Sequence, residues 1–358
     1  MKTKIKVVET FIEEQIKQLR KEHRYGTANN YEKTKRSLES FLRNKKLTFS
    51  NFDEQLIADY NTYLISKGLM RNSISFYMRN LRAIYNKAVK HKIVRKKELF
   101  SEVYTGIDKT RKRAVDEKII SKLYNLKLDN NDALSFTRDI FIFSYCMRGM
   151  SFVDIAYLKK SDISNGVIRY CRRKTGQLMN IKIEPCIQNI INKYKNNTSE
   201  YIFPIIKSDD KGEAYKQYRS AINIYNRNLG VLSEMIGSGC KLSSYTARHS
   251  WATAARKHAV PISVIGAGMG HSSEITTQIY LKSIEDEVVD RANAEIINKL
   301  RINVDMISPL NISMIGDRQA LRSATLNSVT SVAHFWLGNV ASNSRLTILG
   351  AVLPTSPQ

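Results

Sequence analysis

The sequence predicts a mainly α-helical protein that carries one small β-hairpin, an α+β arrangement, and three observations predict it. All six prolines lie at position 185 or later, so no ring lacking an N–H interrupts a helix in the first half. Apolar residues recur at intervals of three and four along most of the chain up to Leu300, which gathers them on one helical face. A single stretch, NGVIRYCRRKTGQLMNIKI from Asn165 to Ile183, is rich in β-formers, with turn residues at its start and middle.

The elements follow in order. Residues 5–21 bring Val7, Phe11, Ile12, Ile16 and Leu19 to one face, and Ala28–Arg43 does the same with Tyr31, Leu38 and Leu42. A third helix, Phe52–Lys67, carries Leu56, Tyr60, Tyr63 and Leu64 and is closed by Gly68. Asn72 opens a fourth, whose stripe of Ile74, Tyr77, Leu81, Ile84, Tyr85 and Ala88 is flanked by Arg71, Arg79, Arg82, Lys87 and Lys90. These helices form a small basic domain over residues 1–104. Periodicity is then lost over residues 105–115, where Lys109, Arg111, Lys112 and Arg113 make a basic linker.

A second domain, 116–300, opens with helices at 116–126 and 131–147. In the hairpin, Asn165-Gly166 is a turn, Val167–Arg172 and Leu178–Ile183 are strands, and Lys174 to Gln177 form the loop between them. Helices resume after Pro185. Residues 301–358 are different in kind: four arginines, two aspartates, no lysine and a Ser/Asn/Thr-rich texture make a low-charge extension to which no role is assigned.

Charge narrows the function. With 57 Lys+Arg against 33 Asp+Glu the chain carries +24, a surplus suited to a polyanion, and nucleic acid is the candidate partner. No apolar run of about 18 residues appears, nor a basic segment leading into an apolar one at the N-terminus, so a soluble protein of the cytoplasm is expected. Cys146, Cys171, Cys186 and Cys240 and the six histidines lack metal-ligand spacing. The expectation is reduced thiols, no metal and no cofactor.

Two motifs carry the chemistry. YTARHSWATAA places Arg248 at the start of an apolar helical run, and MGHSSEITTQIYLKS gives Gly270, His271 and, nine residues after that histidine, Tyr280. In this order, with a hairpin lysine and a basic helical domain upstream, they resemble the tyrosine recombinases, or phage-type integrases, over roughly residues 5–300. The RGMSFVD and YTARHSW forms look most like integrases of mobile elements in Bacteroides-type bacteria. The resemblance implies that residues 1–104 are a core-binding, SAM-like domain, and that 116–300 is a catalytic domain that cuts and rejoins double-stranded DNA without metal or ATP.

In that family Tyr280 would attack a phosphodiester to form a 3′-phosphotyrosine, Arg248 and His271 would hold the phosphate oxygens, and Lys174 would protonate the departing 5′ oxygen. An arginine fork suits the phosphate because it donates two hydrogen bonds and stays ionised. The basic side chains Arg71, Arg79, Arg82, Lys87, Lys109, Arg111, Lys112, Arg113, Arg172 and Arg173 are expected on the DNA backbone. His249, about 100° round the helix from Arg248, is expected to be structural.

Two positions depart from the family pattern. Tyr245 stands where histidine is usual, and a phenol donates a hydrogen bond but shuttles no proton near neutrality. Ser151, three residues before Asp154, stands where the family's first arginine belongs. Arg148, one turn earlier beside the flexible Gly149, is the leading substitute; Arg172, Arg173 or a site without this arginine are the alternatives, and Asp154 would orient an arginine or a strand. Beyond Tyr280, Ile284, Val288, Ala292 and Ile296 mark an amphipathic helix with an acidic first turn. In the resembling family such a helix docks on a neighbouring protomer, which implies a homotetramer on two DNA sites, with or without a DNA-bending accessory protein. A type IB-like topoisomerase and a catalytically impaired DNA-binding protein are the competing readings.

Overall fold

The computed structural model describes residues 7–43, 45–108, 114–128, 131–271, 273, 276–278, 293, 294 and 297. The chain divides into two compact units, Met1–Val288 and Val289–Gln358. In the second only Asn293, Ala294 and Ile297 are described, all three helical and exposed. The anchors of the amphipathic helix expected after Tyr280 (Ile284, Val288, Ala292 and Ile296), Tyr280 itself, the cations Lys109, Arg111, Lys112 and Arg113, and the 301–358 extension lie outside the described residues.

The first unit has two large hydrophobic cores and a small cluster of Ala252, Ile265 and Met269. Four helices surround the first: α1 (Val8–Lys21), α2 (Tyr25–Leu42), α3 (Glu54–Ser66) and α4 (Arg71–Lys90). Phe11, Ile12 and Leu19 of α1 meet Leu38, Tyr60, Met78 and Leu81. The buried Tyr60 hydroxyl donates to Ser37 Oγ at 2.8 Å, as an enclosed phenol must find a partner. Several starts differ from the expected ones: α1 begins at Val8 rather than at 5 and α4 at Arg71 rather than Asn72. α2 starts at Tyr25, before Ala28, and α3 starts at Glu54, after Phe52, because the Asp53 carboxylate caps it by accepting from Leu56 N at 2.9 Å.

The second core is built on α6 (Asp132–Cys146), whose residues 140–143 are all buried. α5 (Glu117–Tyr124), α8 (Pro185–Lys193), α9 (Lys211–Met235) and α10 (Thr246–Lys257) pack on it, with α7 (Phe152–Ala156) and α11 (Ile262–Met269) completing the helices. Asp139, buried on α6, binds Arg138 at 2.9 Å and Lys193 at 3.0 Å and accepts from Tyr194 Oη at 3.1 Å, tying α6 to α8.

The sheet has three antiparallel strands in the order β1 (Ile163–Ser164), β2 (Val167–Cys171), β3 (Leu178–Lys182). The short β1 adds to the expected hairpin: Asn165 and Gly166, at φ 52° and 70°, form the tight turn that pairs it with β2. β2 pairs with β3 from Val167↔Lys182 to Cys171↔Leu178, with Ile168, Tyr170, Met179 and Ile181 facing the core. Helices follow Pro185, and between α8 and α9 Tyr201 bridges back to Lys159 while Ile202 N donates to Leu158 O at 2.9 Å. No described helix is long and apolar enough to cross a membrane.

Candidate active site

Three turns converge on the start of α10. Thr246, Ala247, Ser250 and Ala254 are small buried side chains on one face of α10 that allow close approach to α6, while Arg248, only 5% exposed, and Ala252, packed with Ile265 and Met269, are buried on the other side. Ser250 Oγ accepts from Val115 N at 2.9 Å, so the same helix holds the chain leading out of the linker.

The first turn follows α6. Arg148 and Gly149 both adopt positive φ, 56° and 73°. The stretch is therefore not the helix that would stack Arg148 one turn behind Ser151. Gly149 has no alternative: a Cβ there would stand 2.7 Å from the Arg248 Cα. Arg248 Nη1 donates to the Gly149 carbonyl at 2.7 Å. Arg148 itself, half-buried, runs toward α11, its Cδ 3.7 Å from where a Cβ on Gly268 would be.

The second turn closes α11. Arg248 Nη2 donates to the Met269 carbonyl at 2.6 Å and lies 3.0 Å from His271 Nε2. Gly270, at φ 65°, is pressed by Arg172 and Met179: a Cβ there would meet Arg172 Cδ at 2.6 Å. Arg172, 7% exposed, donates through Nη1 to the Gly270 carbonyl.

The third turn is the β2–β3 hairpin, which holds Lys174 exposed beside Arg173, whose guanidinium stacks 3.8 Å over the Tyr157 ring. Asp154 accepts from Ser151 Oγ at 2.6 Å and from Arg173 N at 2.9 Å. It thus orients the end of β2 and binds Ser151 rather than an arginine.

Electrostatics follow from this packing. Burial, then the charges of Arg248, Arg172 and Lys174, lower the His271 pKa to about 4. The ring is neutral at physiological pH. Since a guanidinium only donates, His271 Nε2 is the acceptor toward Arg248, and Nδ1 carries the proton toward Thr277 Oγ1 at 2.9 Å. Burial pushes the Tyr170 phenol up, Asp154 adds to this, and Arg172, Arg248 and Arg148 oppose it.

The remaining predicted residues sit apart from this cluster or at its edge. Tyr245, 43% exposed, occupies the N-cap of α10 with its ring 6.1 Å from that of the half-buried His249. In the first lobe, Arg71 stacks on Tyr104 at 3.8 Å and pairs with Asp108, Arg79 Nε donates to Ser75 O, and the exposed Arg82 donates to Thr105 Oγ1 at 3.1 Å. Lys87 corrects the expectation of an outward cation: its Nζ donates to Gln15 Oε1 at 3.1 Å beside the Tyr31 ring, and burial lowers its pKa. A cleft of about 1180 Å³ separates the lobes; Lys174, Arg173, Tyr157, Tyr215 and Arg219 line one side and Arg24 and Lys33 the other.

Sequence reasoning passed over Thr277 and understated Arg172. For Arg172 a signal existed: in β2 the even positions 168 and 170 face the core, and 172 continues that parity. Glycine at 266, 268 and 270 was a further sign of close approach. Among the described residues no group of His, Cys, Asp and Glu could hold a metal ion.

Residues 8–103 match the model of the phage integrase SAM-like domain, and residues 117–287 that of the phage integrase family. The chain belongs to the phage integrase family and is a tyrosine-type site-specific recombinase. Its fold is shared with a lambda integrase fragment solved as a dimer bound to a COC′ core site, with a TM-score of 0.56 and 15% identity over 76% of this chain and 95% of that one. The Tn1549 transposon integrase in complex with a circular intermediate DNA gives 0.56 and 15% over 80% and 99%. A lambda integrase tetramer bound to a Holliday junction gives 0.55 and 14% over 76% and 77%. No curated protein matches the chain in sequence.

Proposed function

We propose that this recombinase cleaves and rejoins double-stranded DNA through a 3′-phosphotyrosine on Tyr280, without metal or ATP. The observation that carries the reading is Arg248, buried and held by the carbonyls of Gly149 and Met269 with His271 Nε2 at 3.0 Å. A guanidinium fixed before the phosphate arrives needs no reorganisation as charge grows on the non-bridging oxygens.

The Tyr280 oxygen bonds to phosphorus as the bond to the 5′ oxygen breaks. Lys174 gives the departing oxygen a proton, and the phenol's proton passes to solvent. The linkage keeps the phosphodiester's energy, so another 5′-hydroxyl can reverse the step. Arg148 takes the place of the first arginine, since Arg172 already braces the Gly270 carbonyl. His271, neutral in the free protein, takes a proton at Nε2 when the phosphate's negative charge offsets the surrounding cations, and then donates to a phosphate oxygen. Tyr245, at the exposed start of α10, donates one hydrogen bond where a histidine would shuttle a proton.

The DNA lies against residues 1–104 and 116–300, joined by a basic linker at 105–115, with Arg71, Arg79, Arg82, Lys109, Arg111, Lys112, Arg113 and Arg173 on its phosphates. The lambda tetramer on a Holliday junction supports a homotetramer on two sites. Trapping protein-linked genomic DNA from cells expressing the wild type or Tyr280→Phe tests this. Mapped adducts in the wild type alone are expected. No adduct in either, or equal adducts in both, overturns the reading, and relaxation of any plasmid without strand exchange replaces it with a topoisomerase.

A further inference from the structure

We propose that Thr277 is a positioning residue that fixes the His271 ring and assigns its proton to Nδ1, so that Nε2 alone is presented to Arg248 and to an incoming phosphate. The inference rests on the recombinase reading for its consequence, though its geometry stands apart from it. Thr277 lies in a described helical turn, residues 276–278, and is fully buried. Its Oγ1 is 2.9 Å from His271 Nδ1, and Arg248 Nη2 is 3.0 Å from Nε2 on the other side of the ring. Both Arg248 nitrogens in this network donate, so the imidazole must accept at Nε2. The proton left to Nδ1 then needs an acceptor, which a threonine hydroxyl supplies and an aliphatic side chain does not.

The surroundings hold the hydroxyl in place. Gly266 lies directly beneath it: a Cβ on Gly266 would stand 2.8 Å from Thr277 Oγ1. The same residue's carbonyl accepts from His271 N at 2.9 Å. Gly266 thus supports the ring's backbone and leaves room for its hydrogen-bond partner. The bond from Nδ1–H to the hydroxyl is compatible with both the neutral and the protonated ring, so the ring stays anchored there when Nε2 gains a proton, and a phosphate oxygen replaces Arg248 Nη2 as the partner of Nε2. Loss of that constraint releases the donor that the phosphate meets, and a displacement of about 1 Å at a reacting centre costs on the order of 100-fold in rate.

The test uses the full chain labelled with ¹⁵N-histidine, the His271 signal being assigned by its loss in His271→Gln. At neutral pH the wild type and Thr277→Ser should show the Nδ1–H tautomer, and Thr277→Val a mixture or the Nε2–H form. On a nicked substrate built from a mapped adduct site, Thr277→Val and Gly266→Ala should each slow covalent adduct formation by about 10- to 100-fold, with Thr277→Ser within about threefold of the wild type. An Nε2–H tautomer in the wild type overturns the inference without any variant. So does a Thr277→Val protein that keeps the Nδ1–H tautomer or cleaves at the wild-type rate. If the wild type never forms an adduct, the 3′-phosphotyrosine reading fails, while the tautomer spectra still decide whether Thr277 sets the ring.

Discussion

The two lobes of the first unit hold positive charge in opposite ways. In the helical lobe Arg71 and Arg82 ride on the surface over an apolar core, the first held by the Tyr104 ring and Asp108, the second by a single hydroxyl. In the second lobe Arg248 and Arg172 are buried, and each is tied to a backbone carbonyl in a turn made possible by glycine. Surface cations are screened and mobile, which suits phosphates met anywhere along a duplex. A buried guanidinium is expensive to desolvate and is kept only where carbonyl dipoles compensate it, so those carbonyls set where it lies. The first arrangement provides affinity, the second geometry for a single phosphate.

The largest expected effect comes from disturbing a turn rather than a charge. Gly149→Ala places a Cβ 2.7 Å from the Arg248 Cα at a φ of 73°, so α10 must move and adduct formation should fall by about 100-fold or more. Gly166→Ala is the matched control, with a similar φ of 70° and nothing within 4 Å. It should cost about 1 kcal/mol of stability, read by urea unfolding, and leave cleavage unchanged. Equal activity in the two variants would show that the Gly149 turn does not set the position of Arg248.

Next is Arg248→Lys. It keeps the charge but offers no planar fork to reach Gly149 O, Met269 O and His271 together. Adduct formation should drop by about 100-fold, the lower end of the usual cost of one preorganised donor, with DNA affinity at 100 mM salt nearly unchanged because the surface cations remain. A parallel loss of affinity would show that the buried arginine serves binding rather than geometry.

The contrast also explains what was legible in the sequence. Helical periodicity reports burial directly, so the four helices of the first lobe and the run after Arg248 could be read residue by residue. The α3 start shifted because capping by Asp53 decides it, not apolar spacing. The spacing from Arg248 to Gly270 and His271 marked the site, but the pairing across turns did not show. Arg172, Arg173 and Lys174 look alike in a row, and only strand parity sends the first inward and leaves the other two exposed. Thr277 could not be found from spacing at all, since its meaning depends on a glycine eleven residues earlier coming into contact.

A pH effect of intermediate size follows from the same burial. His271 titrates near 4 in the folded protein, below its ordinary value. Between about pH 4 and 6.5 the unfolded chain therefore binds more protons than the folded one, and stability rises with pH. The contribution is complete above about 6.5 and is lost as pH falls toward 4. Urea unfolding of the wild type and His271→Gln across this window should show a shallower pH slope in the variant. Identical slopes would mean that the ring is not held among cations.

The smallest effect divides the first lobe itself. Arg82 is exposed and Lys87 faces inward, although five residues apart on α4 both look equally suited to a phosphate. Arg82→Gln should weaken binding evenly across DNA sequences and reduce the slope of log K against log salt by about 1, as expected when one phosphate contact no longer releases a counterion. Lys87→Gln should leave that slope untouched, because its ammonium is already committed to Gln15 and the Tyr31 face. If both substitutions changed the slope alike, α4 would have to turn on the duplex, and the distinction between a cation that packs the lobe and one that meets DNA would belong to the free protein alone.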